Sequence, residues 1–227
     1  MNQKEMIKKT LNMAWPAMLE SFFVAFAGLI DSLMVSSVGA YAVAAVGLTT
    51  QPKFLGLALF IAANVSISAL VARRMGEGKR EEANRIFSTF LLFIIAAGIV
   101  ISILLVAFAD PIIRLCGSET ETHDAAVSYF RIVMGGMIFN VIQMGVNSAQ
   151  RGAGNTRITM RTNLTASVVN IGLNYLLIQG HFGFPALGVK GAALATVIGT
   201  VVASVMSIVS IYKETTFISI PYILKNK

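Results

Sequence analysis

Apolar residues run along this chain without alternation, broken at wide intervals by charges. That pattern lacks the two-residue period of a half-buried strand and predicts helices. Walking from charge to charge divides the chain into six runs of about 20 residues, the length a helix needs to cross a bilayer. They cover 11–38, 54–72, 86–109, 132–150, 162–180 and 191–212. Lys53 and Arg73 bound the second, Arg85 and Asp110 the third, Arg131 and Arg151 the fourth, Arg161 and His181 the fifth, and Lys190 and Lys213 the sixth. Glycine is plentiful within them, as where helices approach closely in lipid. Pro16 is expected within the first turns of the first helix, where it can kink it. The expected fold class is an all-α membrane protein: one six-transmembrane-helix bundle over 1–213 with no internal repeat at a three-helix spacing. A moderately apolar tail, 214–227, either lies along the inner membrane surface or starts a connection to a further segment.

Composition agrees. Of 227 residues, 56% are hydrophobic and 13% charged, with mean hydropathy +0.74, against about 25% charged residues in soluble domains. The net charge of +7 is explained by loop placement rather than by nucleic acid, so no nucleic-acid partner is expected. Lys4, Lys8, Lys9, Arg73, Arg74, Lys79, Arg80, Arg85, Arg151, Arg157, Arg161, Lys213, Lys225 and Lys227 fall in loops on one side, making 14 of the 18 Lys and Arg. Lys53, Arg114, Arg131 and Lys190 fall on the other. Basic loops face the cytoplasm, so both termini are expected there, in a multi-pass protein of the plasma (inner) membrane. The acidic loop Cys116 to Asp124 is then external. A cleavable signal peptide is not expected: the first apolar run is too long and carries two acids.

Several chemistries are excluded by what the chain lacks. Cys116 is the single cysteine, so no intrachain disulfide or cysteine-based metal site can form. His123 and His181 lie outside the apolar runs and are given no ligand role. There is no GxxxxGK[ST], HExxH or GxSxG, so the chain is read as a non-enzyme without a cofactor. The stretch RRMGEGKREE carries glycines and basic residues without phosphate-loop spacing.

The candidate chemistry lies in polar side chains inside the runs. Only Glu20 and Asp31 are acidic there, and no Lys or Arg is expected deep in a run. An isolated charge at bilayer depth costs on the order of 3 kcal/mol, so intramembrane acids face a cavity or a partner. Eleven residues at about 100° each come within about 20° of three full turns, placing both acids on one face, roughly 16 Å apart. Asn170 and Asn174 share a face of the fifth run, and Thr196 and Thr200 a face of the sixth. Asn140, Gln143 and Asn147 form a stripe on the fourth, and Asn64, Ser66 and Ser68 lie in the second. A carboxylate with amide and hydroxyl oxygens is a hard-oxygen set that suits a small cation such as Na+, and the carboxylate can take a proton instead. Plain interhelical hydrogen bonding is the competing reading, at about 0.6 kcal/mol per pair.

The order of local motifs resembles the multidrug and toxic compound extrusion (MATE) transporters. The matching stretches are the Pro16–Asp31 helix followed by SLMVSSVGAYAVAAVGL, then LVARRMGEGKREEANRI, FADPIIRLCG, SAQRGAGNTRITM, NIGLNYLLIQG and LGVKGAALATVIG. The resemblance implies twelve transmembrane helices in two six-helix lobes, of which this chain matches the amino-terminal one. It also implies a cation site in this lobe: Asp31 falls on the family's first-helix aspartate, Asn170 on its fifth-helix asparagine and Thr196 on its sixth-helix threonine. Asn174 falls where many members have an aspartate, so one carboxylate stands here instead of two. Glu20 is a candidate second titrating group, with Gln143, Asn147 and Asn64 as candidate substrate-facing residues.

The expectation that follows is a secondary active antiporter exporting organic, cationic or amphipathic compounds, drugs or toxins, in exchange for Na+ or H+. Its partners are small organic substrates, the lipid bilayer, and a missing carboxy-terminal lobe or a second copy of this chain. A lipid-linked saccharide flippase of the same superfamily, or a non-transporting scaffold half, are the alternatives. The flippase cavity would be strongly cationic, whereas the deep charges here are acids, and a scaffold has no need of Asp31.

Overall fold

Several helices carry the charges that flank the apolar runs on their own terminal turns, Arg73 and Arg74 at the end of the helix that holds the second run and Glu81 and Glu82 at the start of the helix that follows it. A computed structural model describes residues 3–212 and 216–225. Its helices are α1 Gln3–Ser36, α2 Ala40–Leu48, α3 Thr50–Gly76, α4 Arg80–Ala107, α5 Ala109–Leu115, α6 Thr120–Gly135, α7 Met137–Gly152, α8 Thr156–Leu177, α9 Val189–Ser210 and α10 Ile220–Lys225. Among the described residues there is no strand. The side chains of Lys4, Lys8, Lys9, Lys213, Lys225 and Lys227, used above for orientation, lie outside the described residues.

Each pass begins before the run expected for it, while α1, α4, α8 and α9 end two or three residues short of the run's far end. Because α1 starts at Gln3, Pro16 lies in its interior rather than its first turns, and the helix continues through it. The segment ahead of the second run is helical too: α2 feeds α3 across Thr49, and together they form one apolar stretch, Ala40–Gly76. Lys53 therefore sits in the first turn of α3, not in a loop. The fourth crossing is two helices, α6 and α7, bent by 47°. The bend falls at Gly135–Gly136, where a Cβ on Gly136 would lie 2.6 Å from Val197 Cγ1, so a larger residue cannot sit against α9. Four helical stretches are long and apolar enough to cross a membrane: Ala14–Ser36, Ala40–Gly76, Arg80–Ala107 and Val189–Ser210; the bent α6–α7 pair makes a fifth.

Helix α8 is more polar, with Arg157 and Arg161 in its first turns, yet its direction is fixed by its neighbours. Against α1 it bonds at Glu20–Asn163, Asp31–Asn174 and Ser37–Gln179, with sequence offsets of 143, 143 and 142, so the two run parallel. Against α9 it pairs Leu177 with Gly191 and Asn170 with both Thr196 and Gly199, an antiparallel register. Helices α7 and α9 run parallel through Asn147–Ser207 and Gln150–Ser210, both 60 apart. Helix α3 lies parallel to α7, Asn64 beside Gly145 and Ser68 beside Gly152. Helix α4 runs the other way, Ser102 bonding Met134 at 2.6 Å and Ile94 packing on Gly145. The directions therefore alternate through six passes, α8 being the fifth.

Three apolar clusters hold the passes together. Phe60, Ile94, Phe130 and Met137 fill the centre, and Val35, Tyr129, Ile178 and Val189 pack where α1, α6, α8 and α9 meet. The third cluster takes in the tail: Ile211 and Ile218 are fully buried with Ile67, Val71 and Phe87. The described part of the tail thus folds back on the bundle. Asn84 donates to the Phe217 carbonyl at 2.8 Å and accepts from the Ser219 N–H at 2.9 Å. Arg80 donates to the Thr216 carbonyl at 2.8 Å and stacks 4.2 Å from the Tyr222 ring. At the opposite end, Asp110 is bonded by Arg114 at 2.9 Å and by His123 at 2.9 Å, and these two hold its carboxyl below the usual carboxylate range.

The closest α8–α9 approach gives a direct test. A Cβ on Gly191 would lie 2.4 Å from the Leu177 carbonyl oxygen, whereas a Cβ on Gly28 meets nothing within 4 Å. Gly191→Ala is expected to cost about 1–3 kcal/mol, read as a lower thermal unfolding midpoint in detergent micelles. Gly28→Ala is expected to leave the midpoint unchanged or slightly raised.

Candidate functional site

The parallel seam brings α1's acids against α8's amides. Asp31 lies in the last two turns of α1, and Asn170 and Asn174 lie one turn apart on the facing side of α8. Asn174 is fully buried. Its Nδ2 donates to Asp31 Oδ1 and, at 3.3 Å, to Asn170 Oδ1. Asn170 Nδ2 in turn donates to Thr196 Oγ1 at 3.3 Å, and the Thr196 hydroxyl donates to the Ala192 carbonyl at 2.9 Å. Asp31, Asn170, Asn174 and Thr196, drawn from three helices, are thus one hydrogen-bonded chain. Asn174 Oδ1 is left over: it is buried and has no hydrogen-bond partner. An unsatisfied buried acceptor costs about 1–3 kcal/mol, so this oxygen favours any cation that reaches it. A cavity of 230 Å³ opens on one side of the chain, lined by Asp31, Asn170, Thr196 and Thr200. A second, of 240 Å³, reaches Asn174 and Gln179 from the other.

Two further residues belong to this neighbourhood. Tyr129 on α6 is 4% exposed and interacts with Thr196. Lys53 places its Nζ 5.0 Å from the centre of the Tyr129 ring and interacts electrostatically with Asp31. Lys53, expected as the boundary of the second run, stands within the first turn of α3 and is half-buried. The one sequence signal was a single lysine between Pro52 and Phe54 in an otherwise apolar stretch.

The other candidates separate into different places. Glu20, 13% exposed in its side chain, accepts from Asn163 Nδ2 at 2.6 Å and pairs with Arg151 at 3.5 Å. Gln143 donates to the same Asn163 at 2.6 Å. Asn163 and Arg151, which the sequence reading did not select, are what satisfy Glu20. Asn147 joins three helices: its Nδ2 donates to Thr162 at 3.0 Å, and its Oδ1 accepts from Ser207 at 3.0 Å. Asn64 is buried near Gly145 with an unpartnered Oδ1, while Ser66 is exposed, so the second-run polar residues do not form one cluster. Gln143, Asn147 and Asn64 thus lie apart from the Asp31 chain.

The donor set around Asp31 consists of one carboxylate with amide and hydroxyl oxygens. Among the described residues no group of three or more His, Cys, Asp or Glu gathers that could hold a metal ion. A single carboxylate with neutral oxygens fits a monovalent cation or a proton better than a divalent ion.

Alternating passes and a polar pocket between the first, fifth and sixth of them define an all-helical, multi-pass membrane lobe. The chain belongs to the MatE family, whose match covers residues 16–176. It is 28% identical to the probable multidrug resistance protein NorM of Thermotoga maritima, over 94% of this chain and 46% of that protein. It is 29% identical to the probable multidrug resistance protein YoeA of Bacillus subtilis, over 88% of this chain and 43% of that one. A crystal structure of MATE in the bent conformation superposes with a TM-score of 0.84 at 30% identity, covering 94% of this chain and 47% of that one. An outward-facing multidrug resistance MATE transporter of the MOP superfamily gives a TM-score of 0.83 at 29% identity, covering 94% and 47%. The chain spans about half the length of the curated relatives it matches.

Asn147 gives the contrast between a structural and a functional amide. Asn147→Ala removes the acceptor of the buried Ser207 hydroxyl, while Thr162 keeps its bond to the Thr159 carbonyl, and is expected to cost about 1–3 kcal/mol of stability. Thermal melting in detergent measures the loss.

Proposed function

We propose that this chain forms the amino-terminal lobe of a secondary active antiporter, exporting cationic or amphipathic organic compounds in exchange for Na+ or H+. The observation that carries the reading is the buried, unpartnered Asn174 Oδ1 beside the Asp31 carboxylate, with Asp31 itself lining a cavity that Asn170 and Thr196 share. Relatives named for multidrug resistance support the export half of the proposal. Na+ or a proton would neutralise the same carboxylate, so the two compete for one charge. A transporter is driven by such an ion only if the ion binds one conformation of the lobes better than the other. Rocking of two lobes about a central cavity then gives alternating access.

The partner in this reading is a second six-helix lobe or a second copy of the chain. Phe22, Phe26, Leu29 and Leu33 on α1 are all more than half exposed, as expected of a face that meets lipid or another lobe. The lobe would sit in the plasma membrane with both termini cytoplasmic, on the loop charges given above.

Two measurements test the proposal. In the complete transporter, Asp31→Asn is expected to abolish ion-driven dye efflux from proteoliposomes while leaving folding intact. Asn174→Asp is expected to be tolerated and to shift the pH dependence. Normal efflux by Asp31→Asn under a Na+ or H+ gradient removes the coupling role. For orientation, Cys116 is expected to react with a membrane-impermeant thiol reagent on intact cells. Labelling only after permeabilisation reverses the topology.

A further inference from the structure

We propose that Lys53 is a tethered cation that competes with the coupling ion for the charge of Asp31. The inference rests on the coupling reading above and goes beyond it by naming a residue of this chain that sets how tightly the ion is held.

The geometry is that of a built-in counter-charge. Lys53 enters from the first turn of α3, and its ammonium lies 5.0 Å from the centre of the Tyr129 ring. Tyr129 is buried in the cluster formed by Val35, Ile178, Val189 and Ala192, which closes around the end of the Asp31 chain. Its phenol interacts with Thr196, the last hydroxyl of that chain. An aromatic face attracts a cation, so the ring holds the ammonium beside the cluster in which Val35, one turn beyond Asp31 on α1, packs against Tyr129. Among the described residues Lys53 makes no direct ion pair with Asp31, whose Oδ1 accepts from Asn174, so the ammonium acts on the carboxylate through space.

The charge balance gives the effect its sign. The pocket holds one carboxylate, and Asn174 supplies a neutral amide beside it. With Lys53 nearby, the two charges cancel before any ion arrives. An incoming monovalent cation therefore meets a neutral site and must share Asp31 with the lysine. At an effective dielectric near 20, one unit charge within about 10 Å changes the affinity for another by about tenfold or more. Such weakening suits an ion that must leave on the far side of the membrane, since a site that held Na+ too tightly would not release it. The lysine also refills the site electrostatically once the ion has gone, so the empty carboxylate is not left without a counter-charge.

The test is binding of radioactive Na+ to the purified complete transporter in detergent, compared among the parent, Lys53→Gln, Lys53→Met, Lys53→Arg and Asp31→Asn. Size-exclusion profiles and thermal melts identify variants that are folded, and two neutral replacements guard against one that is not. The expected result is Na+ affinity raised about tenfold in both neutral variants, parent-like affinity in Lys53→Arg, and loss of binding in Asp31→Asn. Na+ binding that appears only when the lysine is neutralised supports the proposal equally. Unchanged affinity in the neutral variants, with Asp31→Asn still abolishing binding, overturns the competitor role and leaves the coupling reading standing. Parent-like Na+ binding in Asp31→Asn sinks the coupling reading itself. No Na+ binding in the parent or in either neutral variant overturns the proposal as well.

Discussion

The contact on which the bundle depends is the parallel seam between α1 and α8. Helix α1 carries two carboxylates, and an isolated charge at bilayer depth costs on the order of 3 kcal/mol. The seam removes most of that cost in two separate ways. Glu20 is satisfied by an amide and a guanidinium, Asn163 and Arg151. Asp31 is satisfied by the Asn174 amide and is otherwise left facing a cavity. One acid is therefore closed off and the other held available. Their roles diverge although the sequence places them on the same face of the same helix.

Much of this was legible in the residues, and the exceptions have physical causes. Continuous apolar runs gave the helical class and six passes, because hydrophobic length is a direct requirement of the bilayer. The grouping of Asp31 with Asn170, Asn174 and Thr196 came from the resemblance, aided by the four-residue spacing that puts both asparagines on one face. Helix ends were misplaced because a charge marks where the lipid ends, not where backbone hydrogen bonding does. That error hid Lys53, which reads as a boundary and lies half-buried in the first turn of α3. The bend between α6 and α7 was hidden for a different reason: two glycines in an apolar helix signal close packing as readily as a break, and only the position of Val197 decides it. The partners of Glu20 lie well over a hundred residues away, beyond any local pattern.

Four oxygen-bearing side chains of this lobe meet in the candidate pocket. Asp31, Asn170, Asn174 and Thr196 need nothing from a second lobe to come together, and Tyr129 and Lys53 complete their surroundings. The exposed aromatic and aliphatic face of α1 lies on the same helix as the acid. A change of charge at Asp31 and a change of contact along α1 therefore act on one rigid rod, and the pocket and the outer face are mechanically continuous.

The equal offsets along the seam constrain how that rod can travel. Glu20–Asn163, Asp31–Asn174 and Ser37–Gln179 keep nearly the same register over almost five helical turns. Sliding α1 along α8 by a single residue would break all three bonds together, with no partial step in between. The pair behaves as a keyed shaft: it can tilt or swing as a unit, but it has no fine adjustment along its length.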